Sequence, residues 1–302
     1  MSVRKCHEPQ CLEGTSEVEL LVRSRERDLG GFSVRRVLPN AKRRMVGPYI
    51  FFDHMGPSHF AIGEGIDVRP HPHIGISTVT WLFAGEIMHR DSLASVQPIR
   101  PGAVNYMTAG RGIVHSERTP PHERAKGSAL HGIQLWLALP AELQETAPAF
   151  IHYPTETIPS TEVGGVKLSV IIGEAFGLTS PVATAWPTLY GEALVTGASD
   201  LTLPDGYEER ALYVVDGSVR IGDQTIAAGD MAVLRPGAAV KVRADGPARV
   251  MMIGGAPFPE ERTIWWNFVS TSPERIELAK RDWTQSRFDP VPGDDEFIPL
   301  PE

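Results

Sequence analysis

The feature that most constrains the fold is a glycine-marked strand pattern that occurs twice in the chain. Gly85 ends one candidate strand in the first half, and Gly217 ends its counterpart in the second half. Gly102 and Gly229 then precede the next strand of each half, and a further glycine follows eight residues after each of them. Glycine allows the tight turns and positive φ angles that a small barrel needs between strands. The repeat therefore predicts two tandem β-barrels of related design.

Between these glycines the sequence is typical of an all-β protein. Short apolar segments lie close together and are separated by glycine and proline, as in sandwiches and barrels. Helices are few: Pro273–Trp283 is the clearest, with Ser272 as its cap and a proline in its first position, and Glu142–Thr146 could form one turn. The predicted strands are Ser77–Phe83, Ile87–Asp91, Val104–Met107, Gly132–Leu139, Leu168–Ile172, Glu209–Val215, Ser218–Ile221, Met231–Leu234 and Ala248–Ile253.

A proline-rich segment separates the two halves. Pro148–Thr161 contains three prolines and no apolar periodicity, which indicates a linker. We therefore predict an N-terminal barrel in residues 1–147, a linker at 148–161, and a C-terminal barrel with the helix and a tail in residues 162–302.

Composition excludes several functional classes. With 302 residues, 42% hydrophobic and 22% charged, the chain is an ordinary globular protein with ample material for a core. The net charge of -8 and the lack of a long Lys/Arg block argue against a nucleic-acid surface. No apolar run approaches a membrane span, and the first residues lack the hydrophobic core of a signal peptide. We expect a cytoplasmic protein with neither nucleic acid nor membrane as partner.

Both cysteines lie in the first dozen residues. A disulfide between Cys6 and Cys11 would close a very small loop and stabilise little. Together with His7 they form an alternative metal-binding set, but we expect this segment to be a fraying N-terminal tail.

Two short pairs of polar residues indicate a metal site. His71 and His73 flank one residue, and so do His115 and Glu117. Side chains two apart on a strand point to the same side, so two such pairs on neighbouring strands would direct four ligands at one point. Three imidazoles and a carboxylate suit iron, copper, nickel, manganese or zinc. Structural or solvated histidines are the alternative interpretation.

The second half cannot build the same site. Every histidine lies at or before His152. Carried across the repeat, His115 and Glu117 correspond to Val242 and Ala244, and counting back from the strand-ending glycines pairs His71 and His73 with Leu203 and Asp205. One metal ion per chain follows, held by the N-terminal barrel.

These motifs resemble the cupin superfamily and, within it, the pirin family. Gly65, followed by five residues and His71-Pro72-His73, fits the first cupin motif, and Gly112, three residues before His115, fits the second. The longer strings HPHIGISTVTWLFAGEIMHRDS, MTAGRGIVHSE and PYIFFDHMGP look like pirin signatures, and the GIQLW strand at Gly132–Trp136 extends the likeness. The resemblance covers nearly the whole chain. It implies a fold of two tandem cupin barrels, the second of them degenerate.

The chain departs from the general cupin pattern at one ligand. That pattern has a metal-binding glutamate after the H-x-H, where this chain has Ser77 or Thr78. In pirins the glutamate instead comes two residues after the third histidine, where Glu117 stands. The resemblance therefore assigns the carboxylate to Glu117 and not to Glu86. It favours Fe(II) as the ion, with Zn, Ni, Mn or Cu as alternatives.

The resemblance also implies two functions. Family members are described as quercetin 2,3-dioxygenases, and others as nuclear or cytoplasmic regulators that bind protein partners. For the enzyme, a flavonol would lose a proton at the metal, and Glu117 could accept it. For the regulator, oxidation of the ion would change the affinity for a protein partner without turnover.

Several further residues are candidates for the surroundings of the site. Five large side chains could line a substrate pocket or simply fill the barrel core: Phe52, Trp81, Phe83, Met107 and Trp136. His54, His59 and His89 are candidates for positions next to the ligands, with a structural role as the alternative. A closed structural zinc site and a zinc amidohydrolase also remain open, although the scarcity of helical periodicity argues against the latter.

Overall fold

The computed structural model describes residues 12–13, 15–28 and 31–301. Cys6 and Cys11 lie outside these residues. The strands are β1 (Leu12–Glu13), β2 (Val18–Arg23), β3 (Arg25–Asp28), β4 (Ser33–Leu38), β5 (Tyr49–Phe60), β6 (Asp67–His73), β7 (Ile76–Ala84), β8 (Ile87–Asp91), β9 (Val96–Ile99), β10 (Val104–Thr108), β11 (Ile113–Arg118), β12 (Ser128–Ala138), β13 (Ala149–Tyr153), β14 (Ser160–Val163), β15 (Val166–Ile172), β16 (Glu174–Ala175), β17 (Leu178–Thr179), β18 (Thr188–Val195), β19 (Ser199–Thr202), β20 (Glu209–Asp216), β21 (Ser218–Ile221), β22 (Gln224–Ala227), β23 (Asp230–Leu234), β24 (Lys241–Ala244), β25 (Ala248–Gly255), β26 (Thr263–Trp265) and β27 (Phe268–Ser270).

The helices are α1 (Pro121–Arg124) and α2 (Pro273–Thr284), with 3-10 turns at Ala141–Leu143 and Thr155–Thr157. The predicted C-terminal helix is confirmed. Its cap forms as expected, because Ser272 Oγ accepts a hydrogen bond from the Arg275 backbone N–H at 3.3 Å. Within the described ranges, no helix combines the length and apolar character needed to cross a bilayer.

The predicted duplication is confirmed by the sheet topology. The N-terminal barrel has a large sheet in the order β13-β10-β7-β12-β5-β4-β3 and a small one in the order β6-β11-β8-β9. The C-terminal barrel repeats it with β2-β23-β20-β25-β18-β15-β14 and β19-β24-β21-β22, and β1 extends its large sheet. All nine predicted strands are present. The chain is an all-β protein of two cupin barrels.

Gly85 and Gly217 occupy equivalent turns in the two barrels. Gly85 has φ 91° and Gly217 has φ 75°, a region that side-chain-bearing residues rarely adopt. A Cβ on Gly85 would lie 2.1 Å from the Ala129 carbonyl oxygen, and one on Gly217 would lie 2.4 Å from that of Pro247. Both turns therefore need glycine for conformation and for space.

The two large sheets pack against each other through their outer faces. The rings of Phe52 and Tyr213 lie 4.7 Å apart across this interface, and the Tyr49 hydroxyl donates to the Leu189 carbonyl at 2.8 Å. Both barrels contribute side chains to one continuous buried cluster here. The opposite face of each large sheet is thereby turned towards the interior of its own barrel.

The ends of the chain depart from the division expected from the sequence. Strand β2 pairs with β23, so residues from the N-terminal segment complete the C-terminal barrel. The segment at 148–161 is not a structureless linker, because β13 pairs with β10 of the first barrel and β14 with β15 of the second. Downstream, β27 bridges to Ile74. Each terminal region thus packs on the barrel formed by the other half.

Candidate metal centre

The predicted ligand pairs lie on adjacent antiparallel strands. His71 on β6 lies directly opposite His115 on β11, and His73 lies opposite Ile113. Beyond this pair the register shifts, because Glu117 pairs with Val68. Arg69 and Pro70 of β6 therefore oppose the single residue Ser116, which makes a β-bulge in β6. Proline is tolerated at such a bulge. The pairs thus meet on one face, as their spacing predicts.

The three histidines form a compact buried cluster. Their ligand nitrogens all lie within 4.8 Å of one another. The ring centroids of His71 and His115 are 4.5 Å apart, and that of His73 is 5.0 Å from each of the others. Burial lowers the pKa of His71 to about 4 and those of His73 and His115 well below the ordinary value. Neutral imidazoles of this kind have lone pairs available for a cation.

Hydrogen bonds orient two of these rings. His71 donates from Nδ1 to the Arg69 carbonyl oxygen at 2.9 Å. His89 Nε2 lies 3.0 Å from Asp91 Oδ2, and the Nδ1 atoms of His89 and His115 are 3.4 Å apart. Since Asp91 can only accept, we assign His89 as donor at Nε2 and as acceptor at Nδ1 from His115. This assignment leaves Nε2 of His71 and His115 unprotonated, which is the arrangement that a metal ligand requires.

Asp91 is itself held in its charged form. Its Oδ1 accepts hydrogen bonds from the backbone N–H groups of Leu93 at 2.9 Å and Ser95 at 3.0 Å. Burial alone would raise the pKa of Asp91, but the hydrogen bonds from His89 and Ser95 bring it below the ordinary value. Asp91 therefore anchors the orientation of His89 and, through it, of His115.

Replacing His89 with phenylalanine tests this chain of contacts. Phenylalanine keeps the stacking of His89 on Phe150, whose rings lie 4.3 Å apart, but removes the acceptor for His115. We expect metal affinity to fall by about 10- to 100-fold, the usual effect of losing a residue that orients a ligand. Competition with a coloured chelator measures it. His59→Phe, at an exposed position on β5, is the control, and equal affinity in both variants would refute the role of His89.

Glu117 lies beside the cluster but is not one of its closest members. Its side chain lines the same cavity as the three histidines, yet the group whose ligand atoms lie within 4.8 Å of one another comprises the histidines alone. Burial raises the pKa of Glu117, while His89 on the neighbouring strand acts in the opposite direction. Glu117 as the fourth ligand stays a prediction. Glu86 is engaged elsewhere, since its Oε2 accepts from Arg100 Nε at 2.6 Å.

The cluster opens into a cavity of about 650 Å³. Its aromatic wall consists of Phe51 and Trp136, whose rings stack with centroids 3.9 Å apart. The Trp136 ring also meets the His73 ring edge-on at 5.0 Å. A volume of this size is typical of sites for small organic ligands. The cavity thus combines a floor of three buried histidines with a flat apolar wall.

Of the five side chains proposed for the lining, only Trp136 lies there. Three of the others are buried in the core, namely Phe52, Trp81 and Met107. The Phe83 ring packs against the His131 ring, with their centroids 4.9 Å apart. The reason is strand alternation: on β5, Phe51 faces the cavity and Phe52 faces the other barrel. The alternation of β5 could have identified Phe51 once one inward-facing neighbour was known.

A row of polar side chains runs across the cavity wall next to the aromatic pair. Arg36, Asp53 and Gln134 occupy matching positions on β4, β5 and β12. Two nitrogens of Arg36 donate to the Asp53 carboxylate at 2.8 and 2.7 Å, and the Arg36 guanidinium lies 4.4 Å above the Phe51 ring. Gln134 accepts from Thr80 Oγ1 at 2.7 Å. The row offers donors and acceptors to a ligand that reaches past the aromatic wall.

Residues from the far end of the chain complete the cavity. Ile264, Trp266, Asn267 and Ile298 line it although they follow the second barrel in sequence. Trp266 adopts φ 51°, an unusual conformation for an aromatic residue that occurs mainly where the surrounding structure imposes it. No local pattern in the sequence connects these residues to His71 or His115, so they could not be predicted as part of the site.

The remaining candidate histidines have different roles. His54 points into the inter-barrel interface, where its Nδ1 lies 2.7 Å from the Tyr213 hydroxyl and its Nε2 lies 2.8 Å from His131 Nε2. Burial lowers the pKa of His54 to about 2. His59 is exposed. Only His89, of the three, lies next to a metal-ligand candidate.

In the second barrel, apolar side chains occupy the positions of the ligands. Val242 on β24 pairs with Leu201 on β19, as His115 pairs with His71. The counterparts of His71 and His73 are therefore Leu201 and Leu203, two residues earlier than counting from the glycines predicts. These residues, with Val242 and Ala244, are buried in the apolar core of that barrel. The described part of the second barrel contains no cluster of metal-ligating side chains.

Comparison with known proteins places the chain in a family. The family model described as Pirin matches residues 31–137, and the model of the Pirin C-terminal cupin domain matches residues 190–289. A pirin-like protein of Caulobacter vibrioides is 47% identical over 290 residues, covering 94% of this chain and 100% of that protein. This chain belongs to the pirin family. The resemblance seen in the HPH and HSE motifs is confirmed.

Two further relatives carry an enzymatic name. A Pseudomonas aeruginosa protein with a provisional quercetin 2,3-dioxygenase name is 42% identical over 258 residues, covering 85% of this chain and 80% of that protein. The crystal structure of a quercetin 2,3-dioxygenase from Acinetobacter baumannii superposes with a TM-score of 0.88 at 35% identity, covering 93% of this chain and 94% of that one.

Proposed function

We propose that this pirin is a metal-dependent dioxygenase that opens a ring of flavonols such as quercetin in an oxygen-dependent reaction. The observation that carries the proposal is the position of three buried neutral imidazoles at the floor of a cavity with a flat aromatic wall. The Acinetobacter baumannii relative, named quercetin 2,3-dioxygenase, supports the choice of substrate class.

The residues present fit a single transition-metal ion. His71 and His115 would hold it through the Nε2 atoms that their hydrogen bonds leave unprotonated, His73 would add a third imidazole nitrogen, and Glu117 would add an oxygen. Fe(II) is the favoured ion, and Zn, Ni, Mn and Cu suit the same donors. When bound, such an ion supplies an electrophilic centre that favours the deprotonated form of a phenolic substrate.

The side chains of the cavity orient the substrate. The stacked rings of Phe51 and Trp136 offer a flat apolar surface to a planar aromatic ligand. The polar row of Arg36, Asp53 and Gln134 lies beside it and would bind hydroxyl groups on the ring that is farther from the histidines. Glu117 would take the phenolic proton, because it is the carboxylate of this cavity that lies on the same strand as His115.

Oxygen consumption is the direct test of the proposed function. The protein is loaded with Fe(II) under reducing conditions, its metal content is verified by elemental analysis, and oxygen uptake is followed with a panel of flavonols. We expect substrate-dependent uptake that disappears when the metal is removed. If a fully loaded, reduced preparation consumes no oxygen with any flavonol, the rival function of a redox-sensing regulator is favoured. That regulator would show a partner affinity that differs between the reduced and oxidised ion.

A further inference from the structure

We propose that Glu86, His122 and Glu123 form a second, exchangeable site for a divalent metal ion such as Zn²⁺ on the outside of the N-terminal barrel. Glu86 follows Gly85 in the turn between β7 and β8, and His122 and Glu123 belong to α1. One ligand atom from each of the three lies within 4.8 Å of the other two. The site is distinct from the histidine cluster and does not depend on the proposed function.

Two of the three separations match those of zinc ligands. His122 Nε2 lies 3.6 Å from Glu86 Oε1 and 3.5 Å from Glu123 Oε1. In a tetrahedral zinc site with bonds of about 2.0 to 2.2 Å, ligand atoms are about 3.3 to 3.6 Å apart. The donor set of one imidazole and two carboxylates also suits zinc. The ligand atoms of the two carboxylates lie within 4.8 Å of each other, so a small closing movement would let all three groups bind one ion.

Glu86 supplies an independent reason to expect a ligand here. This residue is only 8% exposed. Its Oε2 accepts from Arg100 Nε, but its Oε1 is buried and has no hydrogen-bond partner. A buried carboxylate oxygen without a partner is costly. The atom faces His122, whose side chain is 58% exposed, so an ion could reach it from solvent.

Two cations compete for the same carboxylates. Lys126 Nζ lies 2.9 Å from Glu123 Oε1, and its side chain is 64% exposed. Arg100 pairs with the other oxygen of Glu86. A metal ion would displace Lys126, which can extend into solvent. Binding at this site should therefore be weaker and faster to exchange than at the buried histidines, and removal of the lysine charge should strengthen it.

An ion here would link the β7–β8 turn to the rim of the main cavity. Arg124, next to the proposed ligands on α1, donates to Asp67 Oδ1 at 2.8 Å and to the Ile66 carbonyl at 3.3 Å. Ile66 and Asp67 both line the cavity. The second site would thus stiffen the segment that carries part of the cavity wall.

Zinc binding to the full-length protein tests the proposal. Equilibrium dialysis with Zn²⁺, followed by brief exposure to a chelator, should show two ions in the wild type, of which one is removed quickly. His122→Ala should lose the exchangeable ion and His59→Ala should keep it. Lys126→Gln should bind the ion about fivefold more tightly, because the ion no longer has to displace the Lys126–Glu123 ion pair. Fivefold corresponds to the attraction between two unit charges about 4 Å apart in water. The His73→Ala/His115→Ala double variant should retain the exchangeable ion.

The competing explanation is a protonated His122 that bridges two carboxylates without any metal. In that case the zinc count is the same in the wild type and His122→Ala, and Lys126→Gln changes nothing, which would overturn the proposal. The N-terminal cysteines are present in every variant, so the difference between variants reports on the cluster alone. Because His122 is exposed, its replacement leaves the fold intact, and a circular dichroism spectrum verifies this.

Discussion

Replacing His73 or His115 with alanine will abolish or sharply weaken binding of the tightly held metal ion. Each substitution removes one of three imidazoles that lie within 4.8 Å of one another. The remaining two histidines with Glu117 would be a poorer and more open ligand set for a transition metal. Elemental analysis of the purified protein after dialysis against a chelator measures the tightly bound ion.

The control for this experiment is His59→Ala, which removes an exposed histidine outside both proposed metal sites. It should retain the same metal content as the wild type. Thermal unfolding of all variants without metal distinguishes loss of the site from loss of the fold. If the double variant His73→Ala/His115→Ala holds the tight ion at full stoichiometry, the histidine cluster is not the metal centre.

Replacing Glu117 with glutamine should reduce turnover by about a hundredfold or more while much of the metal remains. Glutamine keeps the size and an oxygen ligand but cannot accept a proton, and a loss of this size is usual for a general base. The measurement is oxygen uptake with quercetin, normalised to the metal content of each preparation. Glu162→Gln, an exposed position on β14, serves as the control.

Two other outcomes would change the role of Glu117. If activity per bound metal ion is unchanged in Glu117→Gln, this residue only helps to hold the ion. If neither the variant nor the loaded wild type consumes oxygen with any flavonol, the proton-transfer role fails together with the proposed function.

The two candidate ligand pairs could be recognised in the sequence because each depends on local geometry. His71 and His73 lie two residues apart on one strand, and His115 and Glu117 do so on another, so strand alternation alone places each pair on one face. Gly85 and Gly217 likewise mark turns whose conformation excludes other residues. Such short-range constraints leave a pattern that can be read without knowing the partner strands.

The register between strands was harder to predict from the sequence. Counting back from the turn glycine makes Leu203 the counterpart of His71 in the second barrel. The β19–β24 ladder instead makes Leu201 the counterpart, because Leu201 lies opposite Val242 as His71 lies opposite His115. The length of each connecting loop decides this offset, and no residue within the strand reports it. The same limit applied to β5, where Phe52 and Phe51 are equally plausible cavity residues until the face is known.

Local patterns in the sequence were enough to predict the strand-rich repeat, the turn positions, the C-terminal helix and the shared face of each candidate ligand pair, because each depends on residues that are near neighbours in the chain. The packing of distant strands was needed to bring His71 opposite His115 and to supply the walls of the cavity. Trp266 and Ile298 reach the cavity from beyond the second barrel, and β2 crosses over to pair with β23. Contacts between residues so far apart in sequence arise from the packing of the two barrels, and burial against a distant surface leaves no periodic pattern in either segment.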